Sequence, residues 1–137
     1  MILALTTQIV TGLSNRPTTT WQPEIVTPAV EKEMTLDKRI TFLAEKYGVK
    51  ESSARAIIGC ESEWSPDAIG YNRRKDGSVW SKDIGLMQIN NYFHEEEAAR
   101  MGLDIYKTND NLEYGFYLFS KRGAKPWAAS KSCHHIT

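Results

Sequence analysis

Apolar positions recur at helical spacing through most of the chain beyond residue 35. Leu36, Ile40, Leu43, Ala44 and Tyr47 lie three and four residues apart, the repeat that lines one face of a helix. Thr35 before them and Gly48 after them supply an N-cap and a stop, so the pattern predicts a helix from about Leu36 to Tyr47. A second helix starts near Glu51 or Ser52. Ala54, Ile57 and Ile58 share its inward face, and Glu61 extends that face by one more turn. Pro66 disfavours helical backbone at Ser65, which places Glu61 in or near the last turn.

The helical repeat then stops. Asp76-Gly77 is a turn signal and Val79-Trp80 reads as a short strand leaving it, so residues 67–83 are expected to form a small hairpin or an ordered loop. The Arg73-Arg74-Lys75 run reads as a solvated turn, with an anionic polymer as its other reading. Leu86, Met87 and Ile89 call for burial, and Gly85 permits close backbone approach or an unusual dihedral. Two further helices are predicted. One spans Tyr92 to Met101 with Gly102 as its stop. The other spans Asn109 to Lys121, carries Leu112, Phe116 and Phe119 on one face, and closes at Gly123. Asp110 and Glu113 have the spacing of a capping box. A last short helical turn is expected from Pro126 to Ser130. The expected class is α+β, mostly α-helical, with a small β-hairpin or irregular loop.

The N-terminal part behaves differently. Residues 1–13 are apolar and uncharged and too short to span a membrane; they read as the remnant of a secretory signal, against which stand the missing basic start and the lack of a clear small-residue cleavage site. Residues 14–35 carry Pro17, Pro23, Pro28 and a Thr18-Thr19-Thr20 run without a helical period. The predicted organisation is therefore an apolar segment and Pro/Thr-rich linker over 1–35 and one folded domain over 36–137, expected to be a monomer.

Composition narrows the function classes. The formal net charge is zero, which gives no support to nucleic-acid binding or to a membrane surface. Hydrophobic residues at 41% suffice for one core. Four Trp and six Tyr are many for 137 residues, and aromatics on a concave surface suit stacking on sugar rings. Cys60 and Cys133 allow one intramolecular disulfide, which would tie the C-terminal segment to the helix bearing Glu61; two separate buried thiols are the other reading. Cys133-His134-His135 has no fourth ligand in view and reads as a tail rather than a metal site.

The candidate chemistry centres on Glu61. A glutamate on an inward helix face is partly desolvated, which raises its pKa and favours the protonated form that a general acid needs. Glu63, on the opposite side, is expected to be an ordinary solvated charge. Periodicity alone leaves open that Glu61 is a surface residue at a frayed helix end.

Three motifs change that balance. Glu61-Ser62-Glu63-Trp64-Ser65-Pro66-Asp67-Ala68 resembles the glutamate motif of soluble lytic transglycosylases (the SLT family) and lysozyme-like muramidases. Gly85-Leu86-Met87-Gln88 resembles that family's G-L-M-Q motif. Asn111 to Leu118 resembles its N-x-x-x-G-x-x-Y-L motif, with Tyr117 one position early. The order and spacing also fit, over roughly Leu36 to Cys133. The resemblance implies a lysozyme-like fold and cleavage of the β-1,4 bond between N-acetylmuramic acid and N-acetylglucosamine in peptidoglycan, without metal or organic cofactor. It also implies a secreted, periplasmic, wall-associated or phage-delivered protein. The late A-Y-N-x-G motif of the transglycosylases is missing. Residues 124–130 look more like the Trp-containing late helix of lysozymes, which leaves open whether the product is a 1,6-anhydro or a hydrolysed sugar.

On this reading Glu61 protonates the departing oxygen and then acts as base. Asp83 occupies the place of the second carboxylate in animal-type lysozymes and would stabilise the charged sugar as nucleophile or electrostatic partner; capping the turn before Gly85 is its alternative role. Gln88, Asn90 and Tyr117 are candidates for substrate contact, against intramolecular hydrogen bonding. Trp127 is either an apolar wall beside Glu61 or core filling. A non-catalytic module that binds peptidoglycan or chitooligosaccharides on the same fold is the alternative function.

Overall fold

The computed structural model describes residues 34–137. The expectations for residues 1–33 lie outside the described residues. Helix α1 spans Leu36–Tyr47, with the Thr35 hydroxyl accepting from the Lys38 N–H, and ends at Gly48. Helix α2 spans Glu51–Ser62. Strands β1 (Ile69–Arg73), β2 (Val79–Ile84) and β3 (Ile89–Asn90) follow. Helices α3 (Asn91–Arg100) and α4 (Thr108–Arg122) come next, then a 3₁₀ segment at Lys125–Ser130 and a short α5 at Lys131–His134. The class is α+β and mostly helical, with the lysozyme-like arrangement of a small sheet beside a helical core.

The sheet holds one strand more than the expected hairpin. It is antiparallel in the order β1-β2-β3, and β3 pairs Ile89 with Ile84 and Asn90 with Asp83. Asp76-Gly77 does make the β1–β2 turn. The Asp76 carboxylate accepts from the Ser78 N–H at 2.9 Å and from its hydroxyl, and these bonds lower the Asp76 pKa. Arg73, Arg74 and Lys75 are exposed there, the solvated-turn arrangement. Past the turn the register slips, so that Asn72 faces Ser81 while Arg73 faces Val79. The extra residue, Trp80, turns toward α3 and meets Tyr92 and Phe93 edge-on.

The core joins the helical faces read from the periodicity. Ile40 and Leu43 of α1, Ile57 and Ile58 of α2, and Leu112, Phe116 and Leu118 of α4 are buried together with Leu86, Met87 and Ile89. Each such side chain contributes about 1.5–3 kcal/mol by leaving water. The capping-box expectation at Asp110 and Glu113 does not hold. Helix α4 starts two residues before Asp110, whose carboxylate accepts from the Asp104 N–H at 3.0 Å. Glu113 points to α1 instead. It accepts from Arg39 at 2.9 Å, Lys46 at 2.6 Å and the Tyr47 hydroxyl at 3.1 Å. The loss of the local motif is a gain for helix docking, because a charge shared by three donors fixes α4 against α1.

The segment between β2 and β3 is set by two close approaches. Gly85 has φ +71°, and a Cβ there would lie 2.8 Å from the Asn111 amide. A Cβ on Gly115 would lie 2.6 Å from Cγ of Met87. Both glycines let the β2–β3 connection sit directly on α4. Asn111, buried, completes the joint. Its Oδ1 accepts from the Met87 N–H at 3.0 Å, and its Nδ2 donates to the carbonyls of Ile84 at 2.8 Å and Ile105 at 2.9 Å.

Candidate active site

A cleft of about 520 Å³ opens between the sheet and the helices, within the range of small-molecule sites. Glu61 and Asp83 both line it, along with Gln88, Asn90 and Trp127. Five of the six catalytic and substrate-contact candidates therefore meet around one cavity.

Glu61 is the penultimate residue of α2, on the face of Ile57 and Ile58. It is half-buried, whereas Glu63 is exposed and forms the left-handed C-cap at φ 50°. Burial raises the Glu61 pKa. A hydrogen bond from the Ser130 hydroxyl and the nearby His134 oppose that rise, and Asp83 adds a little to it. Desolvation is the largest of these influences, so the net direction is toward the protonated acid.

Asp83 lies in β2 with its carboxylate held from both sides. Oδ2 accepts from Asn72 Nδ2 at 2.9 Å, and Oδ1 accepts from Asn90 Nδ2 at 2.7 Å. These partners are side-chain amides on the neighbouring strands, not the backbone N–H groups that a turn cap would serve. The sheet register accounts for the contacts: Asp83 pairs with Gly70 and Asn90, and Asn72 sits two residues along β1 on the same face.

Gln88 has a left-handed backbone at φ 47°, an uncommon conformation for a residue with a side chain. Its Nε2 donates to the carbonyls of Gly85 at 2.9 Å and Ala68 at 3.2 Å, which spends the donor side of the amide on the fold. Asn90 is more fully committed. It caps α3 through the Tyr92 N–H at 3.1 Å while donating to Asp83 and Ser81. In this arrangement Asn90 orients Asp83 and has little left to offer a ligand.

Trp127 is both buried and part of the cleft wall. It is 3% exposed and its Nε1 donates to the Met87 carbonyl at 2.8 Å, yet its ring also walls the cleft. Tyr117 is not among the lining residues; its hydroxyl reaches Glu97 at 3.4 Å. Leu118, one position later, lines the cleft instead. The helical register explains the difference, because one step along a helix turns a side chain by about 100°.

Several neighbours of Glu61 and of the cleft carried no signal of their own in the sequence. Ser130 and His134 reach the site because Cys60 and Cys133 are joined in a disulfide with Cα atoms 5.9 Å apart. That bridge brings the C-terminal turn to α2, next to Glu61. Had the pairing been taken as a restraint, residues within one turn of Cys133 would have been expected beside residue 61. His134 is buried, with Nε2 at 3.0 Å from the Trp127 carbonyl and Nδ1 accepting from the Ile136 N–H at 3.1 Å.

His94 and Phe93 of α3 line the opposite rim. The Tyr114 hydroxyl donates to Glu97 at 2.9 Å, so in the 3.1 Å contact with His94 its oxygen accepts from Nδ1–H, and in the neutral ring Nε2 carries no proton. Burial, reinforced by Arg122, lowers the His94 pKa and keeps that neutral form. Among the described residues no group of three or more His, Cys, Asp or Glu side chains is placed to hold a metal ion. No described helix is long and apolar enough to cross a membrane.

The family model described as transglycosylase SLT domain matches residues 38–127, a span that holds Glu61, Asp83, Gln88, Asn90 and Trp127. No curated protein matches the chain.

Proposed function

The chain belongs to the transglycosylase SLT family, and from that premise we propose that it cleaves the β-1,4 bond between N-acetylmuramic acid and N-acetylglucosamine, with Glu61 as general acid and then base. The observation that carries this reading is the setting of Glu61: half-buried in a sugar-sized cleft, with burial raising its pKa, and with Asp83 lining the same cleft. Peptidoglycan is the substrate class that goes with the family, and this supports work outside the cytoplasmic membrane. The Cys60–Cys133 disulfide suits an oxidising compartment of that kind.

The chemistry divides between the two carboxyls. Protonated Glu61 gives its proton to the departing glycosidic oxygen as the C–O bond breaks. Positive charge develops on the muramic acid ring, and Asp83, accepting from two amides, is the group placed to offset it. Its tethers suit a fixed electrostatic partner better than a nucleophile that must move to carbon. The substrate's own N-acetyl group can then supply the internal nucleophile. Glu61, now a carboxylate, removes a proton either from the sugar's 6-hydroxyl, which closes a 1,6-anhydro ring, or from water, which gives a reducing end. The Ser130 hydroxyl holds the carboxylate in place for that second step. Gln88 retains its Oε1 for a sugar N–H or hydroxyl.

Clearing of purified cell walls tests this directly. Glu61→Gln keeps the shape and the Ser130 contact but cannot donate the proton, and it should reduce clearing at least 100-fold. Undiminished clearing by that variant would rule the mechanism out. Mass spectrometry of the wild-type products then distinguishes transglycosylase from muramidase. Binding to walls with no cleavage over long incubation would favour the non-catalytic module.

A further inference from the structure

A second cavity, of about 330 Å³, lies against the first and shares Arg122 and Lys125 with it. Its remaining walls come from Gly123, Ala124 and Ala128, from Lys131 and His134 of α5, and from Ile136 and Thr137. Three cationic side chains, Arg122, Lys125 and Lys131, border it, and no Asp or Glu side chain does. Among the described residues none of the three cations is engaged in an ion pair or a side-chain hydrogen bond. Arg39, Arg55, Arg100 and Lys46, by contrast, each face a carboxylate. The 3₁₀ segment that carries Trp127 and Ser130 to Glu61 also carries Lys125 and Ala128 to the second cavity. A substituent on a sugar held at Glu61 therefore has a short path into a cavity lined with positive charge.

We propose that this second cavity binds the acidic peptide stem borne by the lactyl group of muramic acid, with Arg122, Lys125 and Lys131 receiving its free carboxylates. The inference rests on the glycosidase reading, because that reading is what sets muramic acid beside Glu61. It adds a selection that the cleft alone does not provide: strands with acidic stems are preferred over strands whose stems have been amidated. Charge is the recognition element. Methylene stems of Lys125 and Lys131, with Ala124, Ala128 and Ile136, supply apolar contact to the peptide between its charges.

The test measures binding apart from turnover. Soluble, uncross-linked strands with acidic stems are compared with the same strands after their stem carboxylates have been converted to amides, using Glu61→Gln protein so that nothing is cleaved. Each exposed charge contact contributes about two- to fivefold in affinity, so the acidic strands should bind several-fold tighter, with the gap closing at high salt. Adding Lys131→Glu, at an exposed position that borders only the second cavity, should bring the two affinities together and leave that for amidated strands unchanged. Equal affinity for both strands in the Glu61→Gln parent overturns the stem site. So does a ratio that Lys131→Glu does not move. Failure to bind either strand instead removes the glycosidase reading beneath it, and wild-type wall clearing reports on that reading separately.

Discussion

Replacing Asn111 with Ala should cost far more than the loss of a polar side chain usually does. Asn111 is 1% exposed and satisfies three backbone groups at once: the Met87 N–H and the carbonyls of Ile84 and Ile105. Alanine leaves all three facing a small apolar void. An orphaned buried polar group costs about 1–3 kcal/mol. With the low end taken for the carbonyls, which have a second lone pair, the sum is about 3–5 kcal/mol. For a domain of roughly 100 residues that is a fall in Tm of at least about 12 °C. Urea unfolding at 25 °C, at unchanged m-value, measures it, and Asn109→Ala serves as a chemically matched control within about 0.5 kcal/mol. Asn111→Asp should do no better than Ala. It keeps the acceptor for Met87 but turns an oxygen toward two carbonyls. Activity should fall in the folded fraction as well, because the residues that Asn111 pins lead directly into Gln88 and follow directly from Asp83. A loss below about 1 kcal/mol would show that the β2–β3 connection is held by something other than this amide.

Three further outcomes follow from the same contacts. Burial raises the Glu61 pKa, so above 4.5 the folded protein keeps a proton that the unfolded chain has already lost; stability relative to Glu61→Gln must therefore fall as pH rises through that interval, and thermal melts at pH 4 and pH 7 should show the Gln variant gaining on wild type at the higher pH. An identical difference at both pH values would mean that burial does not dominate at Glu61. Reducing the Cys60–Cys133 bridge, which closes 73 residues, should cost about 4 kcal/mol in the chain-entropy treatment, and wall clearing should drop as Ser130 and His134 loosen from Glu61. Gly115→Ala drives a methyl into Cβ and Cγ of Met87 and should cost about 1–3 kcal/mol by denaturant unfolding, with little effect if α4 can slide away.

The helices were legible because each carried its own signals. Thr35 and Gly48 bracket α1 as read, and the apolar repeat of Leu112, Phe116 and neighbours marks α4 to within a residue at each end. Strand β3 was not legible, since two residues cannot show alternation, and its partners Asp83 and Ile84 lie across a turn held by Gly85 and Asn111. The misread capping box has the same origin. Asp110 and Glu113 have the right spacing for a local motif, but Glu113 answers to three donors some 70 residues away that no local pattern reveals. At the site, Glu61 and Asp83 stood out through neighbouring motifs, while Asn72, Ser130, His94 and Arg122 arrive through strand register, a disulfide and helix packing.

On the proposed mechanism those unannounced neighbours bear on how Glu61 works. A proton donor that later becomes a proton acceptor must be comfortable in both forms. Burial alone would favour the acid and leave a stranded, costly anion after the first step. Full hydrogen bonding of both oxygens would hold a carboxylate and make a poor acid. Glu61 has one hydroxyl donor, from Ser130, set against a desolvation that outweighs it. The two influences differ in sign, and on the proposed mechanism their opposition at Glu61 is what lets one carboxyl serve in both steps.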